Sequence, residues 1–176
     1  MRPSAGRNGM RRPRAPVQND RLVAPLIVNI VFGLLVMFVS LDRGHGLHYY
    51  PSTLLFTLNG AIAVAVAVAG FLFPARRYAF LVLSSYVVSF MFPGFYYGGK
   101  GIPRGDDGCG FGWLFFCGLL CLVGFFVGMG TLIAGIVSRS RSQPPGSRPS
   151  VALHVACFII GLAACLFILM VGLWPS

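Results

Sequence analysis

Five stretches of the chain contain no Asp, Glu, Lys or Arg: residues 22–41, 53–73, 78–93, 111–137 and 151–174. They cover 108 of the 176 residues, so all 18 charged residues fall in the other 68. Random placement would put about 11 charges inside the stretches, so the segregation is strong. A charge-free helix of about 20 residues crosses a hydrocarbon core of roughly 30 Å at 1.5 Å per residue. The first, second and fifth stretches, of 20, 21 and 24 residues, match that length. The fourth, with 27, must tilt or begin in the interface. The third has 16 residues. It reaches only about 24 Å, so a re-entrant or interfacial segment is the alternative to a span there.

The fold class expected is therefore all-α: a polytopic transmembrane helical bundle of five spans, or four if the third does not cross. Only 10% of the residues are charged, against about 25% in soluble chains, which excludes a water-soluble globular domain. Residues 61–69 alternate Ala with Ile or Val, a period of two that also suits a strand. Both faces of such a strand would be apolar, whereas a membrane barrel needs a polar lumen face. Read as a helix, Ala61, Ala65 and Ala69 form a small-residue seam for close helix contact.

The arginines supply an orientation, because short connections rich in Lys and Arg stay on the cytoplasmic side. With five spans, 11 of the 14 basic residues gather on one side, including Arg21, Arg76, Arg77, Arg139 and Arg141. Arg43, Lys100 and Arg104 lie on the other. The N-terminus is then cytoplasmic and the C-terminus outside. Four spans would give 10 against 4 and would put Arg139 and Arg141 outside. The expected location is a bacterial inner (plasma) membrane, and the ratio of 13 Arg to one Lys fits the coding bias of a GC-rich genome. Tyr49, Tyr50, Tyr96, Tyr97, Trp113 and Trp174 fall at the outer interface and Tyr78 at the inner one, as amphipathic rings do.

Two units follow: a basic, disordered cytoplasmic tail over residues 1–20 and a transmembrane helical domain over 21–176. The tail sets topology, and clustered arginines can also bind anionic lipid at about 1 kcal/mol each. A cleaved signal peptide is not expected, because Val39-Ser40-Leu41 is a poor small-residue cleavage site. Residues 138–150 contain Pro144-Pro145-Gly146 and read as an irregular linker.

The spans hold no charged group, which disfavours proton relays and ion-coupled pumps. Their uncharged polar residues include Asn29, Thr57, Asn59, Ser84, Ser85, Ser89 and Thr131. Asn29 and Asn59 are read as hydrogen-bonding glue between helices. Ser85 and Ser89 share a face, with Tyr86 beside them, and mark the one place to look for a polar path. Gly124 and Gly128 form a GxxxG in the fourth span, which lets two backbones approach closely. His154 lies about one turn into the fifth span and is expected to hydrogen-bond at the interface. No second mid-membrane His is available to hold a haem.

The five cysteines, at 109, 117, 121, 157 and 165, contain no C-x-x-C. Cys117, Cys121, Cys157 and Cys165 lie within spans and read as small hydrophobes, while Cys109 reads as a thiol in an outer loop. His45, His48, Asp106, Asp107 and Cys109 gather on the outer side as ligand types suited to zinc or copper, although their spacing matches no specific metal motif. No phosphate loop, metalloprotease, hydrolase or nucleic-acid motif is present. The function expected is a small integral membrane protein without catalysis or cofactor, serving as a structural or accessory component of a membrane complex. The alternative is a transporter or channel for a small neutral or weakly polar solute. The partners expected are the lipid bilayer and other membrane subunits or a second copy, not nucleic acid.

Overall fold

The computed structural model describes residues 20–43, 51–90, 109–142 and 151–173, with side chains placed for 20–40, 56–90, 118–141, 151–167 and 170. The described residues contain helices and no strand. A 3-10 turn, Asp20–Leu22, leads into α1 (Val23–Arg43). Then come α2 (Pro51–Leu72), a second 3-10 turn (Pro74–Arg76), α3 (Arg77–Ser89), α4 (Cys109–Ser142) and α5 (Val151–Leu173). The Ala/Val alternation lies inside α2, because in lipid a helix satisfies every backbone group within its own segment.

Two of these segments, Asp20–Ser40 and Gly118–Arg141, are long and apolar enough to cross a membrane. A third is counted if Phe56–Leu72 and Pro74–Ser89 are one broken span. The five-span expectation is thus met in part: the described residues give a membrane-type helical protein with two or three such helices. The bend between α2 and α3 is 115°, more than a right angle, so α3 runs back towards the end from which α2 came. Pro74 is the cause. It biases the preceding residue away from helix, and Phe73 sits at φ −117°, ψ 77°. The fifth segment is a shorter apolar helix over its described part, Val151–Phe167.

The distribution of polarity is inverted relative to a soluble protein. Large apolar side chains such as Phe38, Leu72, Phe126, Phe167 and Met170 stand exposed, whereas Asn29, Ser84 and Ser85 are fully buried. Such a surface is compatible with hydrocarbon, while helix association inside lipid relies on close packing and polar contacts.

The short helix α3 lies at the centre, with seven of its 13 residues buried. Val87 and Val88 pack with Phe32 and Val36 of α1, Phe56 and Ala63 of α2, and Cys121 of α4. Leu81 meets Leu22, Leu26 and Ala67 towards the other end. Val82 meets Leu132 of α4 and Cys157 of α5. Surrounded in this way, the helix of about 20 Å meets neighbouring helices over much of its surface.

Close backbone approach fixes the contact between α1 and α2. A Cβ on Gly33 of α1 would lie 3.0 Å from the Gly60 carbonyl oxygen of α2, and one on Gly60 would lie 2.8 Å from the Gly33 carbonyl oxygen. The crossing exists because neither residue has a side chain. It also sets which small residues of α2 face inward. Gly60, Ala63, Ala67 and Gly70 are buried, whereas Ala65 is exposed and Ala61 and Ala69 are half-buried. The expected seam of Ala61, Ala65 and Ala69 is therefore displaced on the helix surface. The alternation supplies small residues on more than one face, and the glycine crossing selects among them.

The helix α4 is longer than the fourth apolar stretch. Its 34 residues extend about 51 Å, and no proline or charge interrupts residues 109–138. Two expectations are corrected by this. Cys109 is the first residue of α4 rather than a loop residue, and Arg139 and Arg141 are helical rather than part of an irregular linker.

Candidate functional site

Polar side chains inside the bundle converge at one level, between α1, α3 and α4. The amide nitrogen of Asn29 donates to Ser84 Oγ at 2.8 Å and to Ser85 Oγ at 3.2 Å. Ser85 Oγ lies 2.9 Å from Thr131 Oγ1, which donates to Asn29 Oδ1 at 3.0 Å. Hydrogens can be assigned around a closed ring: the Asn29 amide donates to the Ser85 hydroxyl, Ser85 to the Thr131 hydroxyl, and Thr131 back to the Asn29 carbonyl oxygen. The second amide hydrogen goes to Ser84, whose own hydroxyl donates to the Leu81 carbonyl at 3.0 Å. Thr131 Oγ1 also lies 3.0 Å from the Gly128 carbonyl oxygen. Ser84 is thus tied to its own helix by a bond to the residue three before it, a common use of a helical serine.

Each donor in this cluster has an acceptor within the protein. The cluster carries no ionisable group, so its chemistry is that of a neutral lock between three helices. A buried network of this kind is strong when every member is paired and costly when one is removed.

Ser89, one turn beyond Ser85, donates to the Ser85 carbonyl at 2.8 Å. Tyr86 points elsewhere: its ring meets Phe158 of α5 edge-on at 5.5 Å and stacks with Phe90 at 6.3 Å. The three residues considered for a polar path are therefore not brought to one surface. Cys165 Sγ lies 3.4 Å from the Phe90 carbonyl oxygen, and Cys157 and Cys121 are likewise buried.

Gly128 is where α4 rests on α3. A Cβ there would overlap Ser89 Oγ and the Ser85 carbonyl oxygen. Gly124, one turn earlier, is also buried. The GxxxG thus includes a close contact within the chain, at Gly128 against α3. Asn59 is buried too, but its Oδ1 has no hydrogen-bond partner among the described residues. The two asparagines expected to act alike thus differ, since Asn29 is fully paired on its oxygen and nitrogen.

A second cluster lies at the end of the bundle where α1, α3 and α5 begin and α2 and α4 finish. Arg77 Nε donates to the Gly70 carbonyl at 3.2 Å, satisfying a terminal carbonyl of α2, and its Nη1 lies 4.0 Å from Asp20. The Arg139 guanidinium stands 4.2 Å from the centre of the Tyr78 ring, within cation–π range. Tyr78 Oη lies 2.9 Å from His154 Nε2, so His154 has a hydrogen-bond partner at the helix end. Arg21, Arg76 and Arg141 are exposed around these anchored groups.

Comparison with known proteins gives a plain result. No family model, no curated protein and no solved structure matches the chain. The reading of these clusters therefore rests on their own chemistry. Of the proposed metal ligands, His45, His48, Asp106 and Asp107 lie outside the described residues, as does the side chain of Cys109. Among the described residues no three His, Cys, Asp or Glu side chains are grouped to hold a metal.

Sequence reasoning named Ser84 and Thr131 as polar residues within spans but did not join them to Asn29. It did not single out Gly33, although Gly33 is four residues after Asn29 and shares its face. The Tyr78–Arg139–His154 group joins three residues far apart in sequence, and only the expectation that each lies towards the inner side hinted at it.

Proposed function

We propose that the protein is a five-span integral membrane protein of a bacterial inner membrane, with its N-terminus cytoplasmic and its C-terminus outside. Its role is that of a non-catalytic structural or accessory component of a membrane complex. The observation that carries this reading is the closed hydrogen-bond ring of Asn29, Ser85 and Thr131. The interior spends its polar groups on holding α1, α3 and α4 together, and the apolar side chains of α4 and α5 are left outward for lipid or another subunit. Helix directions support the five-span topology: the beginnings of α1, α3 and α5 meet the ends of α2 and α4, as alternating passes require.

A polar solute path has less support, because the Ser85 and Ser89 hydroxyls are both engaged within the bundle. Capture of the tagged full chain from its native membrane in mild detergent tests the proposal. A membrane protein retained in fixed ratio to the chain is the expected result. A monodisperse single chain that conducts a small neutral solute in liposomes would overturn the accessory role.

A further inference from the structure

We infer that the contact between His154 and Tyr78 is a pH-sensitive latch, which holds the first turns of α5 against α3 while the imidazole is neutral and releases them when it takes a proton. Three helices each contribute one group here. Tyr78 Oη lies 2.9 Å from His154 Nε2, and the two rings meet edge-on at 5.9 Å. Arg139 of α4 stands over the face of the same Tyr78 ring at 4.2 Å. All three side chains are half-buried.

A neutral imidazole can accept from a tyrosine hydroxyl or donate to it, so this contact needs no counter-charge. Protonation of His154 changes that. It sets a second positive charge beside a ring that already faces a guanidinium, and Arg139 acts electrostatically on His154. Partly withdrawn from water, two like charges repel more than they do at an open surface. The sequence places no acid here to offset them. Residues 1–19 and 143–150, which lead into α1 and α5, contain no Asp or Glu, and Asp20 lies against Arg77. The helix α2, which also packs against α5, has no titratable side chain. Tyr86 of α3 and Cys157 of α5 are neutral in this pH range, while Arg76 and Arg141, exposed at the same end, add positive charge.

The release is local. At the start of α5, Val151 and Val155 are exposed, while Leu153 and Cys157 reach Val82 and Leu132. Further along, Phe158 and Gly161 rest on Tyr86 and Phe90. Loss of the His154 contact therefore loosens the first turns and leaves the middle of α5 seated. Cys157, buried one turn after His154, reports the opening.

Rates of thiol modification in the purified full chain, in mild detergent, test the latch. Dithiodipyridine reacts with thiols in acid as well as neutral solution, and peptide mass spectrometry separates the five cysteines. Cys121, buried among residues of α1, α2 and α3, is the internal reference. Between about pH 7.5 and about pH 5, across the ordinary imidazole pKa of about 6.5, the rate at Cys157 relative to Cys121 should rise about tenfold as the pH falls. His154→Gln, neutral throughout, should abolish the rise, and Arg139→Gln should cut it to about threefold or less. A flat wild-type ratio, a rise that survives His154→Gln, or one untouched by Arg139→Gln would overturn the proposal. So would an equal rise at Cys121, the mark of general acid unfolding. The wild-type and Arg139→Gln measurements decide the matter even where His154→Gln does not fold.

Discussion

Gly128→Ala is expected to cost about 3 kcal/mol of stability, the upper part of the usual range for overpacking. The added methyl would meet Ser89 Oγ, the Ser85 carbonyl oxygen and, at 2.7 Å, Ser89 N. Two of these three atoms are backbone of the central helix and cannot rotate away. The helices α3 and α4 must separate instead, and Thr131, on the next turn of α4, leaves the reach of Ser85 and Asn29. The loss is therefore packing and hydrogen bonding together. Gly130→Ala is the matched control, because a Cβ there has nothing within 4 Å. It should leave stability unchanged or raise it by up to about 1 kcal/mol, since Ala is favoured over Gly inside a helix. Thermal melts of both variants in detergent, with the yield of monodisperse protein, check the difference. Equal stability of the two would mean that the α3–α4 contact is not close-packed at Gly128.

Asn29→Leu is expected to cost about 2 kcal/mol. It keeps the volume close but removes two donors and one acceptor from the cluster, at an average of about 0.6 kcal/mol for each hydrogen bond within a membrane. Thr131 retains the Gly128 carbonyl and Ser84 retains the Leu81 carbonyl, which limits the loss. Asn59→Leu should do the reverse. Its Oδ1 is buried without a partner, so a similar apolar side chain should leave stability unchanged or raise it by up to about 1 kcal/mol. Unfolding of the two variants side by side in detergent reads the contrast. A larger loss at position 59 than at 29 would contradict the ring as the lock of the bundle.

Much of the helical architecture was legible in where the charges are absent, because a charged side chain in hydrocarbon is costly and helices are the segments that satisfy their own backbone. Arg76 and Arg77 marked the connection between α2 and α3. Register was not legible. Residues 61–69 offer small side chains on several faces, and the choice of Gly60, Ala63 and Ala67 depends on Gly33 in another helix. The length of the third apolar stretch suggested a marginal span, and length alone carried no sign that α3 packs among four other helices. The polar ring was legible as a set of residue types but not as a set of contacts. Asn29 and Asn59 look equivalent in one dimension, and only packing distinguishes the asparagine that is paired from the one that is not. Arg139 and Arg141 were misplaced because an apolar stretch ends at the first charge, whereas a helix continues until its backbone is broken, and Cys109 because the glycines on either side of it read as a loop.

Reporter fusions test the five-span topology most directly. A reporter active only in the cytoplasm, joined after Ser176 and separately within residues 143–150, should be silent at the first site and active at the second. A partner reporter active only outside should give the opposite pattern. Cytoplasmic activity after Ser176 would contradict the alternation of five helices with their arginine-rich end inside.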